Sequence, residues 1–422
     1  MRVSEGSNVK LSVLREDLVV GDRSTIECTG EGMSLKVEGD IRCKGAVEFT
    51  GSVSCSNFTG DDCKIRTGSL SCESLEIRDG SLEVLGDLSA RSIDVDKKLE
   101  VSGRTEARDI EVGGTLELVT VKARSIEVGG KFRASSDVEA DNIDVGGTVE
   151  IRGKIKSKSV EVGGKVWLNG GDITDRIEVG GVFESTQPLN FGNIDVGGVI
   201  TLGGSSKGGD IEVGGKLQAR GDIVFKNLDV GGVADVKGNA QGESIDLGGR
   251  LRVDSNLMLT DSLEIGGAAE VLGDTEAKHV EIGGSFKSRS LKAETADLSG
   301  RVRTERGIFA SGRVHVGRKC HVEGWMRSLD SVIIDSHAEV DSVSAPRVRI
   351  GDKSRAANVY TEILEIDDRV EIYGEALYTQ TFSTPSSGHG DDGSVQPRKV
   401  DSIPPEKKWT LDLQSASGPS NT

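Results

Sequence analysis

Apolar residues along this chain come in doublets, each split by one polar residue. In residues 211–227 the doublets are Ile211 and Val213, Leu217 and Ala219, and Ile223 and Phe225. A spacing of two marks a strand that buries one face. Glycines Gly214, Gly215 and Gly221 fall between the doublets. Each unit therefore predicts three short strands joined by tight corners, one turn of a triangular coil. The same inward set reads Ile126, Val128, Phe132, Ala134, Val138 and Ala140 in one neighbour, and Ile245, Leu247, Leu251, Val253, Leu257 and Leu259 in another. No stretch sustains a 3.6-residue period, so no long helix is expected.

The phrase I-E-V-G-G at Ile211–Gly215 returns, with conservative changes, from Ile110–Gly114 to Val280–Gly284, in steps of 16 to 18 residues. A fixed period of this size is a repeat architecture. The glycine pair suits a corner that needs φ > 0, and it also leaves room for the corners stacked above and below. Six inward side chains per coil are too few to offset the ordering of 17 residues, so a coil is stable only against its neighbours. The predicted fold is all-β, a parallel β-helix (β-solenoid) of about 20 coils. Residues 1–21 are expected to be an irregular segment or cap, 22–378 the solenoid, and 379–422, which hold five of the seven prolines, a disordered tail.

Composition narrows the chemistry. A net charge of -17 disfavours nucleic acid and anionic membrane surfaces as partners. No run of 18 apolar residues suggests a membrane span, and residues 1–10 lack a signal-peptide core, so a cytoplasmic location is expected and membrane association is not supported. Six cysteines without a C-x-x-C phrase read as small buried ladder residues, among them Cys28, Cys43, Cys55 and Cys72.

With these features in place, the chain resembles the bactofilins, the polymer-forming cytoskeletal proteins. The likeness lies in the 17-residue coil with apolar doublets and in the phrase Gly-Asp-Ile at Gly39–Ile41, Gly171–Ile173, Gly209–Ile211 and Gly221–Ile223. It extends to Val37–Ile41 and to the stretch from Val348–Gly351 through Val370–Gly374. The resemblance implies a right-handed triangular β-helix with disordered tails, and nucleotide-independent filaments built by end-to-end stacking.

Candidate functional residues are few. The second position of nearly every repeat is acidic: Glu111, Glu127, Asp144, Glu161, Glu178, Asp195, Glu212, Asp229, Asp246, Glu264 and Glu281. Stacking puts these carboxylates in a row at roughly 4.8 Å intervals, which is either a solvated stripe or a track for a basic partner. Tyr373, Tyr378 and Phe382 cluster where the repeats end, and are expected to close the last coil or to dock another copy. Trp409, Leu411 and Leu413 form a basic–apolar island with Lys407 and Lys408, a candidate for docking a partner protein. The five histidines and Trp167 read as outer-surface residues by alternation. The glycine pairs lie between strands rather than before a helix, so no phosphate loop, metal site, cofactor or catalytic residue is expected.

The function that follows is a non-enzymatic scaffold whose partner is itself, with other proteins reached through the tail. A hexapeptide-type acyltransferase is the enzymatic rival, but its strict six-residue sides do not fit 17-residue coils. A capped monomeric binding scaffold and an adhesin are the non-enzymatic rivals.

Overall fold

The computed structural model describes residues 1–384 and 395–403. They form a parallel β-solenoid of about 23 coils with about 17 residues each, and no helix occurs among them. The chain divides into two compact units, Met1–Asp210 and Ile211–Thr422. Each is built by the same rule. A strand pairs in parallel with the strand one repeat earlier and the strand one repeat later, so like positions stack into columns.

In the first unit one inward column runs Ile93, Ile110, Ile126, Ile143, Val160, Ile177 and Ile194. A second runs Leu99, Leu116, Phe132, Val149, Val166, Phe183 and Ile200. Every one of these side chains is buried. In the second unit the corresponding first column runs from Ile211 through Leu228, Ile245, Leu263, Val280, Ala296, Val314, Val332, Val348 and Leu364. Along these columns the doublet rule therefore places the core correctly residue by residue. Burying both members of each doublet on a narrow interior is what aligns the coils.

The corners correct one expectation. The glycine pairs of the repeated phrase in the first unit do not adopt positive φ, which falls instead at residues such as Gly45, Gly170, Gly171, Arg23 and Asp62. Their role is close approach. A Cβ on Gly130 would stand 2.5 Å from the carbonyl oxygen of Gly114, and one on Gly146 would stand 2.6 Å from that of Gly129. At these two corners a methyl group would collide with the backbone of the coil below.

Other corners are held by a device the doublets do not reveal. Asp and Asn side chains accept the backbone N–H one coil later: Ala46 donates to Asp22 (2.8 Å), Arg104 to Asp87 (2.8 Å), Lys154 to Asp137 (2.8 Å) and Asn239 to Asp222 (2.8 Å). The Ala46 bond is the main cause holding the Asp22 carboxyl below its ordinary range. Buried hydroxyls do similar work; Ser157 donates to the carbonyls of Asp141 (3.1 Å) and Ser159 (2.9 Å).

Both boundaries of the solenoid move outward. The expected irregular N-terminal segment is in fact the first coil. Arg2–Val3 pairs with Leu18–Val20, Asn8–Leu11 with Ser24–Cys28, and Val13–Leu14 with Ser34–Val37. Its short, largely exposed strands lack the glycine phrase, which hid the period. At the other end, the strand Ala376–Ser383 pairs with the coil before it, and Arg398–Lys399 adds to it across Leu377 and Tyr378. Part of the expected disordered tail is thus strand.

Candidate functional site

The acidic positions form rows on the outer face of each unit. In the first unit Glu111, Glu127, Asp144, Glu161, Glu178 and Asp195 are successive register partners. In the second, Glu212, Asp229, Asp246, Glu264 and Glu281 follow one another. The rows are longer than the glycine phrase indicates. Glu76 and Asp94 precede Glu111, and Asp297 follows Glu281, in repeats whose corners lack the glycine pair. Their register with the apolar doublet was the available signal.

Most of these carboxylates have no cation beside them. Among the described residues, Glu111, Glu127, Asp144 and Glu161 form no ion pair, and neither do Glu212, Asp229, Asp246, Glu264 and Glu281. The neighbouring columns explain why. On one side lie the corner glycines. On the other, beside Glu127, Asp144, Glu161, Asp229, Asp246 and Glu264, lies an uncharged Ser and Asn ladder, in which Ser159 donates to Asn142 (2.9 Å) and Ser244 to Asn227 (2.6 Å). Only at the row ends do cations arrive. Arg176 reaches Glu178 (2.7 Å) and Asp195 (3.7 Å), and His315 lies 3.2 Å from both Asp297 and Asp335. Burial, then Asp96 and Glu76, push the Asp94 carboxyl up, against a smaller opposing effect of Arg78.

Each carboxylate points outward in parallel with the next, so they do not converge. Among the described residues no three His, Cys, Asp or Glu side chains form a group that would hold a metal ion. The row is a line of acceptors suited to an extended basic surface rather than to a single ion.

The C-terminal aromatics separate into two roles. Phe382 stacks on Leu364 and so occupies the next level of the first inward column, while Tyr378 stacks on the buried Thr361. Their rings lie 5.7 Å apart and both are half-buried over the end of the core. Tyr373 is 54% exposed and does not join them. It falls between the strands Glu371–Ile372 and Ala376–Ser383, on the outside of the turn. Trp409, Leu411 and Leu413 lie outside the described residues. Trp167 is half-buried on the outer face, between Glu150 and Glu184 in its row.

Shallow grooves follow one corner of each unit. The first, about 520 Å³, has Arg108, Lys122, Arg124 and Lys156 over a floor of Ala123 and Ala140. The second, about 460 Å³, runs over Leu259, Ala277 and Ala293. In the first groove Lys122 pairs with Glu139 (3.5 Å) and Arg124 with Asp109 (2.6 Å).

The cysteines are free thiols, and they differ from one another. Cys28, Cys43, Cys63 and Cys320 are buried, and burial pushes the Cys63 and Cys320 thiols up to about 11. Cys55 and Cys72, expected to be buried, are only half-buried, because both follow the short strands Ser52–Ser54 and Leu70–Ser71 where the chain leaves the sheet.

No family model, curated protein or solved structure matches the chain.

Proposed function

We propose that this protein is a non-enzymatic scaffold that assembles with copies of itself through the ends of its solenoid, without nucleotide. The observation that carries the reading is the last described coil. Ala376–Ser383 is paired along one side by the preceding coil, and on its other side Arg398–Lys399 meets only Leu377 and Tyr378. Among the described residues the backbone from Thr379 to Ser383 has no strand on that open side, and Phe382 ends an apolar column there. An unpaired parallel edge beside an incomplete core is stabilised by any further coil of the same register, and another copy supplies one. The bactofilin resemblance supports the same reading. A cytoplasmic working place belongs to this proposal.

A capped binding scaffold is the second reading. It is favoured by the bonds that draw residues 395–400 onto the last coil, Val395 N–H to the Ile372 carbonyl (2.6 Å) and Val400 N–H to the Tyr378 carbonyl (2.9 Å).

Negative-stain microscopy and sedimentation of the full chain without nucleotide separate the two. Polymers that shorten or vanish in Phe382→Asp, with the circular dichroism unchanged, support assembly. Single particles at every concentration and salt level support the capped scaffold and overturn assembly.

A further inference from the structure

We propose that Cys55 and Cys72 are a thiol pair that closes reversibly to a disulfide linking two successive coils. The register of their strands puts them one above the other. Val53 pairs with Leu70 and Ser54 with Ser71, and the Cys55 N–H donates to the Ser71 carbonyl at 3.1 Å. Parallel strands stack at about 4.8 Å, inside the Cα separation of roughly 4.4–6.8 Å that a disulfide spans.

The position sets this pair apart from the other cysteines. The same column continues to Ala90, whose N–H follows in the same way from the strand Leu88–Ser89, so sulfur occurs on two consecutive levels only. Cys43 and Cys63 also lie on adjacent coils. They are buried, however, and the register there shifts so that Cys43 faces Gly60 and Cys63 faces Gly45. Cys55 and Cys72 are half-buried, and they are in register with each other. Their contact shows in the proton affinity of Cys55, raised first by the Cys72 thiol and then by burial.

A low-molecular-weight disulfide such as oxidised glutathione is the oxidant. The Cys72 thiolate attacks it, forming a mixed disulfide, releasing one glutathione thiolate and removing the thiol that raised the proton affinity of Cys55. The second cysteine thiolate then attacks the protein sulfur of that mixed disulfide and expels the other. Two protein thiols are oxidised to one disulfide, and the oxidant is reduced to two thiols that take up the protons. The ring closed is one coil long. It fastens a part of the first unit whose corners lack the glycine pair. A reductant reverses the step.

The test uses the folded full chain, reduced, desalted and titrated with oxidised glutathione, then alkylated and mapped by mass spectrometry. The expected product has lost about 2 Da and carries a Cys55–Cys72 cross-link. Cys28, Cys43, Cys63 and Cys320 are then alkylated only after denaturation. Cys55→Ser and Cys72→Ser each leave the remaining thiol as a stable glutathione adduct, and dithiothreitol restores both thiols in the wild type. Glutathione adducts on both cysteines without a cross-link, or no reaction at either while the circular dichroism shows a folded chain, overturns the proposal.

Discussion

Two outward rows of the same coils solve the stacking of charge in opposite ways. In the first unit the row Glu83, Glu100, Glu117, Arg133, Glu150 brings in cations from within and beside it. Lys98 bridges Glu100 (2.8 Å) and Glu117 (3.1 Å), and Arg133 bridges Glu117 (3.4 Å) and Glu150 (3.1 Å). The second unit repeats the solution, with Arg252 between Asp254 (2.8 Å) and Glu270 (3.1 Å), and Lys287 on Glu270 (2.9 Å). The row through Glu111, Glu127, Asp144 and Glu161 has no such partners. Two carboxylates about 4.8 Å apart repel by about 0.9 kcal/mol in unscreened water, and salt reduces this further. A solenoid tolerates that cost because its stability resides in the inward columns. The mixed row is held by its own neighbours, and the acidic row is left open to solvent or to a basic partner.

Both rows lie outside a shared core, and the core is where the largest effects are expected. Ile143→Ala, one residue before Asp144 in the acidic row, removes a buried side chain and is expected to cost about 2–5 kcal/mol in denaturant unfolding. A cost no larger than that of Asp144→Ala would mean that the inward columns do not carry the stability. Gly147→Ala, at the corner beneath the row, puts a methyl against the Gly130 carbonyl. A loss of about 1–3 kcal/mol is expected, with the stacked coils forced apart.

Charge changes probe the rows directly. Arg133→Ala is expected to destabilise by about 0.2–1 kcal/mol, since these pairs are largely exposed. Asp144→Lys is expected to stabilise by a similar amount at low ionic strength, and both effects should fade toward about 1 M salt. Parallel losses in the two variants would mean that the rows are electrostatically alike.

The smallest effect is in pH. Lys98 holds the Glu117 carboxyl below its ordinary value of 4.5, so its stabilisation is complete above that value and disappears as pH falls through the lowered one. Asp94 has the opposite sign. Its carboxyl is raised above 3.8, chiefly by burial, so its contribution is present below that value and is lost as pH rises through the raised one. Glu117→Gln should therefore lower the melting temperature at neutral pH and Asp94→Asn should hold or raise it. The two should converge in acid. The same direction in both at neutral pH would contradict the assignment.

Much of this was legible in one dimension. The doublets name the buried residues of the regular coils, because alternation and burial are the same fact for a strand with one covered face. They also place the acidic row, since the residue between two inward neighbours must point out. Phe382 was recognisable as an end residue, but its seat above Leu364 depends on the register of the final strand. Tyr373 is close to it in sequence and stays outside because a turn intervenes. The half-burial of Cys55 and Cys72 follows from where short strands leave the sheet, which the period does not specify.

What the chain alone determined is the periodic part: which side chains face inward, how many residues make a coil, and which charges share a line. Those follow from local alternation repeated at a constant step. The tertiary structure decided everything that depends on the level above or below. It assigned the corner glycines to close contact rather than left-handed backbone, found the first coil in strands too short and exposed to betray it, and gave one row of charges partners while leaving another bare. Neighbours in a solenoid are a full repeat apart along the chain, so the contacts that distinguish one row from another exist only once the coils are stacked.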